Sequence, residues 1–178
     1  MRTIFLAIVL LTALTGCASN LPPVMLMPKT VDSVSTPLVS SSFEVAPVTL
    51  QQGEVEDYLS AENFKVALEE TLKRANMFGS DTNKPYGVNA HVLEGTFPAA
   101  GITMSSTLAV RYTINNGAGR EVLKEDVRYE GRADMSEEFL GSSRALLAFQ
   151  RTQQGHFSLL LDKLKQALKT EATRQSMK

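Results

Sequence analysis

Leu108-Ala109-Val110-Arg111-Tyr112-Thr113-Ile114-Asn115-Asn116-Gly117-Ala118-Gly119 is the stretch that decides the fold. Leu108, Val110, Tyr112 and Ile114 alternate with Ala109, Arg111 and Thr113, a period of two that gathers apolar side chains on one face of a strand. Asn115 to Gly119 then reads as a hairpin turn, because Asn and Gly accept the positive φ that tight reversals need. Residues 121–133 return as the partner strand, with Val127, Tyr129 and Gly131 sharing a face.

Working outward, Tyr86, Val88, Ala90 and Val92 alternate with Gly87, Asn89 and His91, which predicts a third strand. Residues 95–106 contain Pro98 and Gly101 and read as a mobile loop joining it to the hairpin. Residues 60–78 predict a helix: Ser60 can cap it, Phe64, Leu68, Leu72 and Ala75 recur at helical spacing, and Gly79 suits a left-handed stop. Its other face, with Glu62, Lys65, Glu69, Glu70 and Lys73, is a solvated surface. Residues 43–50 alternate as a strand broken at Pro47, which marks an edge or a bulge. A loop over 51–58 follows.

Downstream, residues 143–168 predict a long helix with Leu146, Phe149, Phe157, Leu160, Leu161, Leu164 and Leu168 as its apolar stripe. Gly155 interrupts that stripe and points to a kink or a close crossing. The polar residues 170–178 read as a frayed tail. The order strand, helix, three strands, helix predicts an α+β two-layer sandwich, a four-stranded mixed sheet with two helices on one face. The strand-helix-strand start favours a parallel pair, and the hairpins make the rest antiparallel. The less covered face would carry Asn89, His91, Arg111 and Thr113, either as ordinary solvated sheet or as an interaction surface.

The N-terminus sets location. Arg2 precedes an apolar run from Ile4 to Leu14, and Leu14-Thr15-Gly16-Cys17 closes it, the layout of a secretory signal. The run is too short to span a membrane, which takes about 20 apolar residues. Residues 18–42 hold Pro22, Pro23, Pro28 and Pro37 together with Ser33, Ser35, Ser40, Ser41 and Ser42, a composition that suits a flexible spacer. Within it, Val24-Met25-Leu26-Met27 is an apolar patch expected to lie near the membrane. The expected layout is a signal peptide over 1–16, a lipidated N-terminus and tether over 17–42, a domain over 43–169 and a tail over 170–178.

Leu14-Thr15-Gly16-Cys17 resembles the lipobox of bacterial lipoproteins. The resemblance implies lipidation of Cys17, loss of residues 1–16 and anchoring in a membrane through that lipid. Ala18-Ser19 resembles an outer-membrane sorting context, which implies a periplasm-facing protein of the cell outer membrane. Between Phe64 and Leu168 the pattern resembles a group of small bacterial lipoproteins. They share a helix of spaced leucines, a strand like Val110-Arg111-Tyr112-Thr113-Ile114, a turn like Asn116-Gly117, and a Phe-x-Gly-x-x-Arg-x-x-x-Ala segment opening the last helix. Here that segment runs from Phe139 through Gly141 and Arg144 to Ala148. The architecture is similar to that of YajG-type lipoproteins and of the lipopolysaccharide-translocon lipoprotein. This implies an accessory or scaffold in envelope assembly, with an envelope protein or a lipid as partner. The open sheet face leaves a second reading, a module binding lipid, glycan or peptidoglycan.

Composition narrows the chemistry. Of 178 residues, 43% are hydrophobic and 21% charged, enough for a packed core. The net charge of -1 carries no basic excess for nucleic acid. Cys17 is the only cysteine, which excludes an internal disulfide and a thiolate metal site. His91 and His156 are the only histidines, with no acidic companions at ligand spacing, so neither a metal nor another cofactor is expected. Gly141-Ser142-Ser143 lacks the second glycine of a nucleophile elbow, and no phosphate-binding loop occurs. A non-enzymatic protein is the expectation. Arg144 is the last polar candidate, either tying the loop before the final helix to Glu137 or Glu138, or binding an anion or headgroup.

Overall fold

The computed structural model describes residues 22–51, 59–98 and 100–177. Cys17 and the signal segment lie outside these, as does most of the expected 51–58 loop. The described chain begins with a short helix, α1 (Pro23–Leu26), and an edge strand in two pieces, β1 (Val39–Val45) and β2 (Thr49–Leu50). Helix α2 (Ala61–Ala75) comes next, then β3 (Phe78–Gly95), β4 (Thr103–Asn115), β5 (Glu121–Asp134) and the long helix α3 (Gly141–Ser176). This is the α+β sandwich read from the sequence, with five strands and three helices among the described residues where four and two were expected.

The sheet runs β1-β3-β4-β5, and β2 pairs with β3 beyond the end of β1. Both β1 and β2 lie parallel to β3, and the remaining pairs are antiparallel. Pro47 sits at the break in the edge strand, where four steps along the chain from Val45 to Thr49 stand opposite three from Val88 to His91, an irregularity of the kind proline marks on an edge. Ala46 and Gln51 on either side still donate to Val88 and Val92 of β3. The central turn also forms as its residues dictate. Asn116 Oδ1 accepts from the N–H groups of Ala118 and Arg120, and Gly119 takes φ 78°.

One face of the sheet is dry. Tyr86, Val88, Ala90 and Val92 of β3, Leu108, Val110, Tyr112 and Ile114 of β4, and Leu123 and Val127 of β5 are buried there. The stripe Phe64, Ala67, Leu68, Thr71, Leu72 and Ala75 of α2 faces this core. So do Phe149, Phe157, Leu160, Leu161, Leu164 and Leu168 of α3, and Phe64 stacks on Phe157 with centroids 5.2 Å apart.

Several expected boundaries need correction. The tether ends at the latest by Pro22, not at residue 42. Leu26 and Met27 are buried, Val31, Val34 and Leu38 pack against the core, and Val34 and Leu38 donate to the carbonyls of Ala75 and Met77. Its prolines and serines hold an irregular strap whose apolar residues dock on the helices. Only Val24 and Met25 of the apolar patch are exposed. The domain therefore starts before Phe43, and β1 itself begins at Val39.

Helix α2 stops at Ala75 because Asn76 takes the left-handed conformation (φ 53°), a role the sequence had offered to Gly79. Gly79 lies instead in β3, where its missing Cβ leaves room for the Ser40 carbonyl. The supposed loop over 95–106 is short and fastened: β4 starts at Thr103, Thr96 donates to the Thr107 carbonyl, and Ser106 Oγ donates to the Thr96 carbonyl. The frayed tail is helix through Ser176, with Glu171 buried.

Gly155 produces no break in α3. A Cβ there would lie 2.2 Å from the Tyr129 ring of β5, and one on Gly131 of β5 would lie 2.4 Å from the Thr152 nitrogen of α3. Strand and helix each contribute one glycine to a mutual close approach. Gly131 also donates its N–H to Thr152 Oγ1 at 3.0 Å, so α3 covers part of the β5 edge.

Candidate functional site

The open sheet face is built from the residues that alternate with the core. Asn89 and His91 of β3 and Arg111 and Thr113 of β4 all project there, and register places them in rows across the sheet. Thr49, His91, Arg111 and Asp126 are successive partners in one row. Thr49 Oγ1 hydrogen-bonds His91 Nδ1 at 2.7 Å. Arg111 donates Nε and Nη2 to the two Asp126 oxygens, both at 2.7 Å. That fork holds the Asp126 carboxyl below its ordinary pKa and raises that of Arg111. Asn89, Thr113 and Lys124 form the next row.

Along β5 this face shows a pattern that the sequence reading missed. Lys124, Asp126, Arg128, Glu130, Arg132 and Asp134 alternate in sign at every second residue. Glu94, Ala109 and Arg128 share a row, and Arg128 pairs with Glu94 across Ala109, which is nearly covered despite lying on the open side. Arg132 pairs with Glu130. Each arginine on this face thus already has a carboxylate partner, so the face is a neutral, hydrogen-bonding surface and a poor trap for free anions. The signal was legible as a charge alternation at strand period, beside the apolar one.

Arg144 is not on this face. It lies at the end of the sheet where β3, β4, β5 and α3 meet, 6% exposed. Nη1 donates to the carbonyl oxygens of Glu138 (2.8 Å) and Phe139 (3.1 Å), and Nη2 to that of Gly101 (2.8 Å). The expected tie to a glutamate carboxylate is replaced by a tie to backbone. Glu137 is engaged instead by Arg151 and by the Asp134 N–H, which bring its pKa down to about 2.

His156 is buried in the core, where Nε2 shares a hydrogen bond with Tyr112 Oη at 2.9 Å. Burial pulls its pKa down to about 3 and pushes that of Tyr112 well up. His91 and His156 are thus on opposite sides of the sheet. Among the described residues no three His, Cys, Asp or Glu side chains converge as metal ligands, and no helix is long and apolar enough to cross a membrane.

A groove of about 540 Å³ lies between the strap residues Pro28, Lys29 and Thr30, the β5 edge and α3. Tyr129, seated on Gly155, forms part of its wall, and Arg132, Arg151 and Gln154 rim it. Periodicity gives no hint of this groove, because one wall is the strap.

This fold has relatives of known structure. Protein XCC0632 from Xanthomonas campestris, of family DUF330, superposes with a TM-score of 0.59 at 10% identity, covering 79% of this chain and 95% of that one. What they share is the fold. The hypothetical protein CT253 from Chlamydia trachomatis has a TM-score of 0.52 at 9% identity, over 72% of this chain and 98% of that one. A minor lipoprotein from Acinetobacter baumannii overlays more loosely, with a TM-score of 0.39 at 13% identity over 74% and 94% of the two chains. No family model and no curated protein matches the chain by sequence.

Proposed function

We propose that this chain is a bacterial lipoprotein, acylated at Cys17 after removal of residues 1–16. In this reading it is held in the outer membrane facing the periplasm, and its folded body is a non-enzymatic accessory or scaffold in envelope assembly or maintenance. The observation that carries the reading is Leu14-Thr15-Gly16-Cys17 at the end of the apolar run. Several acyl chains on one cysteine hold a protein stably on a bilayer, where a single chain anchors only marginally. The broad neutral sheet face supports a surface that docks a macromolecule rather than a site that turns over a small substrate.

The test has two arms. Incorporation of a labelled fatty acid into the wild type, and its loss in Cys17→Ser, is the expected result for the anchor. A wild type without label would end the lipoprotein reading. Crosslinking and mild-detergent extraction of the lipidated protein should then recover one stoichiometric envelope partner. Recovery at monomer size with no partner would overturn the scaffold role.

The groove beside Tyr129 favours a second reading, a module for envelope glycans, since an exposed ring among hydrogen-bonding side chains matches the two faces of a sugar. Titration with soluble cell-wall fragments checks it, and loss of binding in Tyr129→Ala is the expected outcome.

A further inference from the structure

Among the described residues the exposed large apolar side chains are few, and most of them fall in two places. Ile102 (76% exposed), Met135, Phe139 (76%) and Leu140 (61%) lie on the β3–β4 and β5–α3 connections, at one end of the sheet. Val24 (66%) and Met25 lie on α1. Contiguous apolar surface of this kind marks a contact with a membrane or a partner.

The first place is built. Arg144 holds the carbonyls of Gly101 and Phe139 with one guanidinium, so Ile102 and Phe139 are presented side by side on fastened backbone. The tip is shaped before it meets anything, which lowers the ordering cost of binding. The second place lies farther along α3. Helix α1 packs near Gln150 and Gln154 of α3, and Gln150 lies ten residues, roughly 15 Å of helix, from Leu140 at the tip.

Chain length selects the occupant. Pro22 lies five positions beyond Cys17, a stretch that spans at most about 18 Å when fully extended. A lipid on Cys17 therefore keeps the α1 end of the body close to the headgroups, with the tip within reach of the same surface. We infer that Ile102, Phe139 and Leu140 dip into the interfacial layer of the bilayer that holds the lipid on Cys17. Val24 and Met25 line the same contact. The body is thereby seated in one orientation, with the Asn116–Arg120 hairpin pointing away. This rests on the anchor reading above.

The experiment uses the full lipidated chain carrying Phe139→Cys, Ile102→Cys or, as the distal control, Ala118→Cys. Each is labelled with an environment-sensitive fluorophore and reconstituted into phosphatidylethanolamine–phosphatidylglycerol vesicles with doxyl-labelled lipid. An acylated Cys17 has no free thiol to take the label, and the mass of the N-terminal peptide reports acylation separately. The expected result is several-fold stronger quenching by doxyl lipid at 139 and 102 than at 118, with a blue-shifted emission. Equal access of aqueous iodide to all three positions on an acylated protein overturns the inference. Shielding at 139 and 102 from both quenchers also overturns it, because the cover is then a protein, a second copy or a partner. An N-terminal peptide without lipid removes the anchor reading itself, and the bilayer as occupant falls with it.

Discussion

At the residue scale, two buried side chains have consequences for stability. His156 takes up a proton in the unfolded chain near its ordinary pKa of 6.5, but in the fold only near about 3. Between these values the unfolded state binds more protons, so stability is complete above pH 6.5 and falls as the pH drops through the window. Going from pH 7.5 to 5.5 should cost roughly 1 kcal/mol, read as a lower urea midpoint, and His156→Gln should abolish that difference. Carboxylates whose pKa the fold lowers, such as Glu137 and Glu171, withdraw their contribution only in more acid solution, below their ordinary value of 4.5. Arg144 is the other case. Neither methionine nor lysine can hold three carbonyls from two connections as its fork does. Arg144→Met and Arg144→Lys should each lose about 1–3 kcal/mol and speed amide exchange around residues 100–103 and 138–141. Wild-type exchange in either variant would mean that the tip is held by something else. Phe139, Gly141 and Arg144 were legible as a group in the sequence. Their partners were not, since a backbone carbonyl such as that of Gly101 leaves no mark in residue identity.

At the element scale, the contact between β5 and α3 depends on its paired glycines. Gly131→Ala should destabilise by about 1–3 kcal/mol, because its Cβ would meet the backbone of Thr152, which cannot move aside without shifting the helix. Gly155→Ala is subtler, because the obstacle is the ring of Tyr129, a half-exposed side chain. Alone it should lower the melting temperature. In a Tyr129→Ala background it should stabilise by about 1 kcal/mol, the ordinary helix preference for alanine over glycine. Thermal melts of the four proteins separate the two effects. The strands and helices were legible because each carries its own period, two or 3.6. Their ends were less so: Gly79 is as good a stop signal as Asn76, and only the pairing of Phe78 with Val39 decides between them.

At the scale of the whole molecule, the two ends of the described chain close the fold. Glu171, only 2% exposed, accepts from Asn116 at 3.0 Å and pairs with Arg120, tying the last turns of α3 to the β4–β5 hairpin. Burial alone would raise its pKa, but the hydrogen bonds from Asn116, Gln175 and Arg120 outweigh it. Truncation after Lys169 should therefore cost on the order of 2 kcal/mol in chemical denaturation, where a frayed tail would cost nothing. The sequence by itself determined the fold class, the central hairpin, the broken edge strand and the side of the sheet that stays wet. All of these follow from periodicity, proline and turn chemistry within a dozen residues. Only the tertiary structure decided that the strap from Pro22 to Leu38 belongs to the body, that α3 extends to Ser176, and that apolar side chains from distant loops share one tip. Those outcomes depend on contacts between segments far apart in the chain, and no local pattern records a partner that is a hundred residues away.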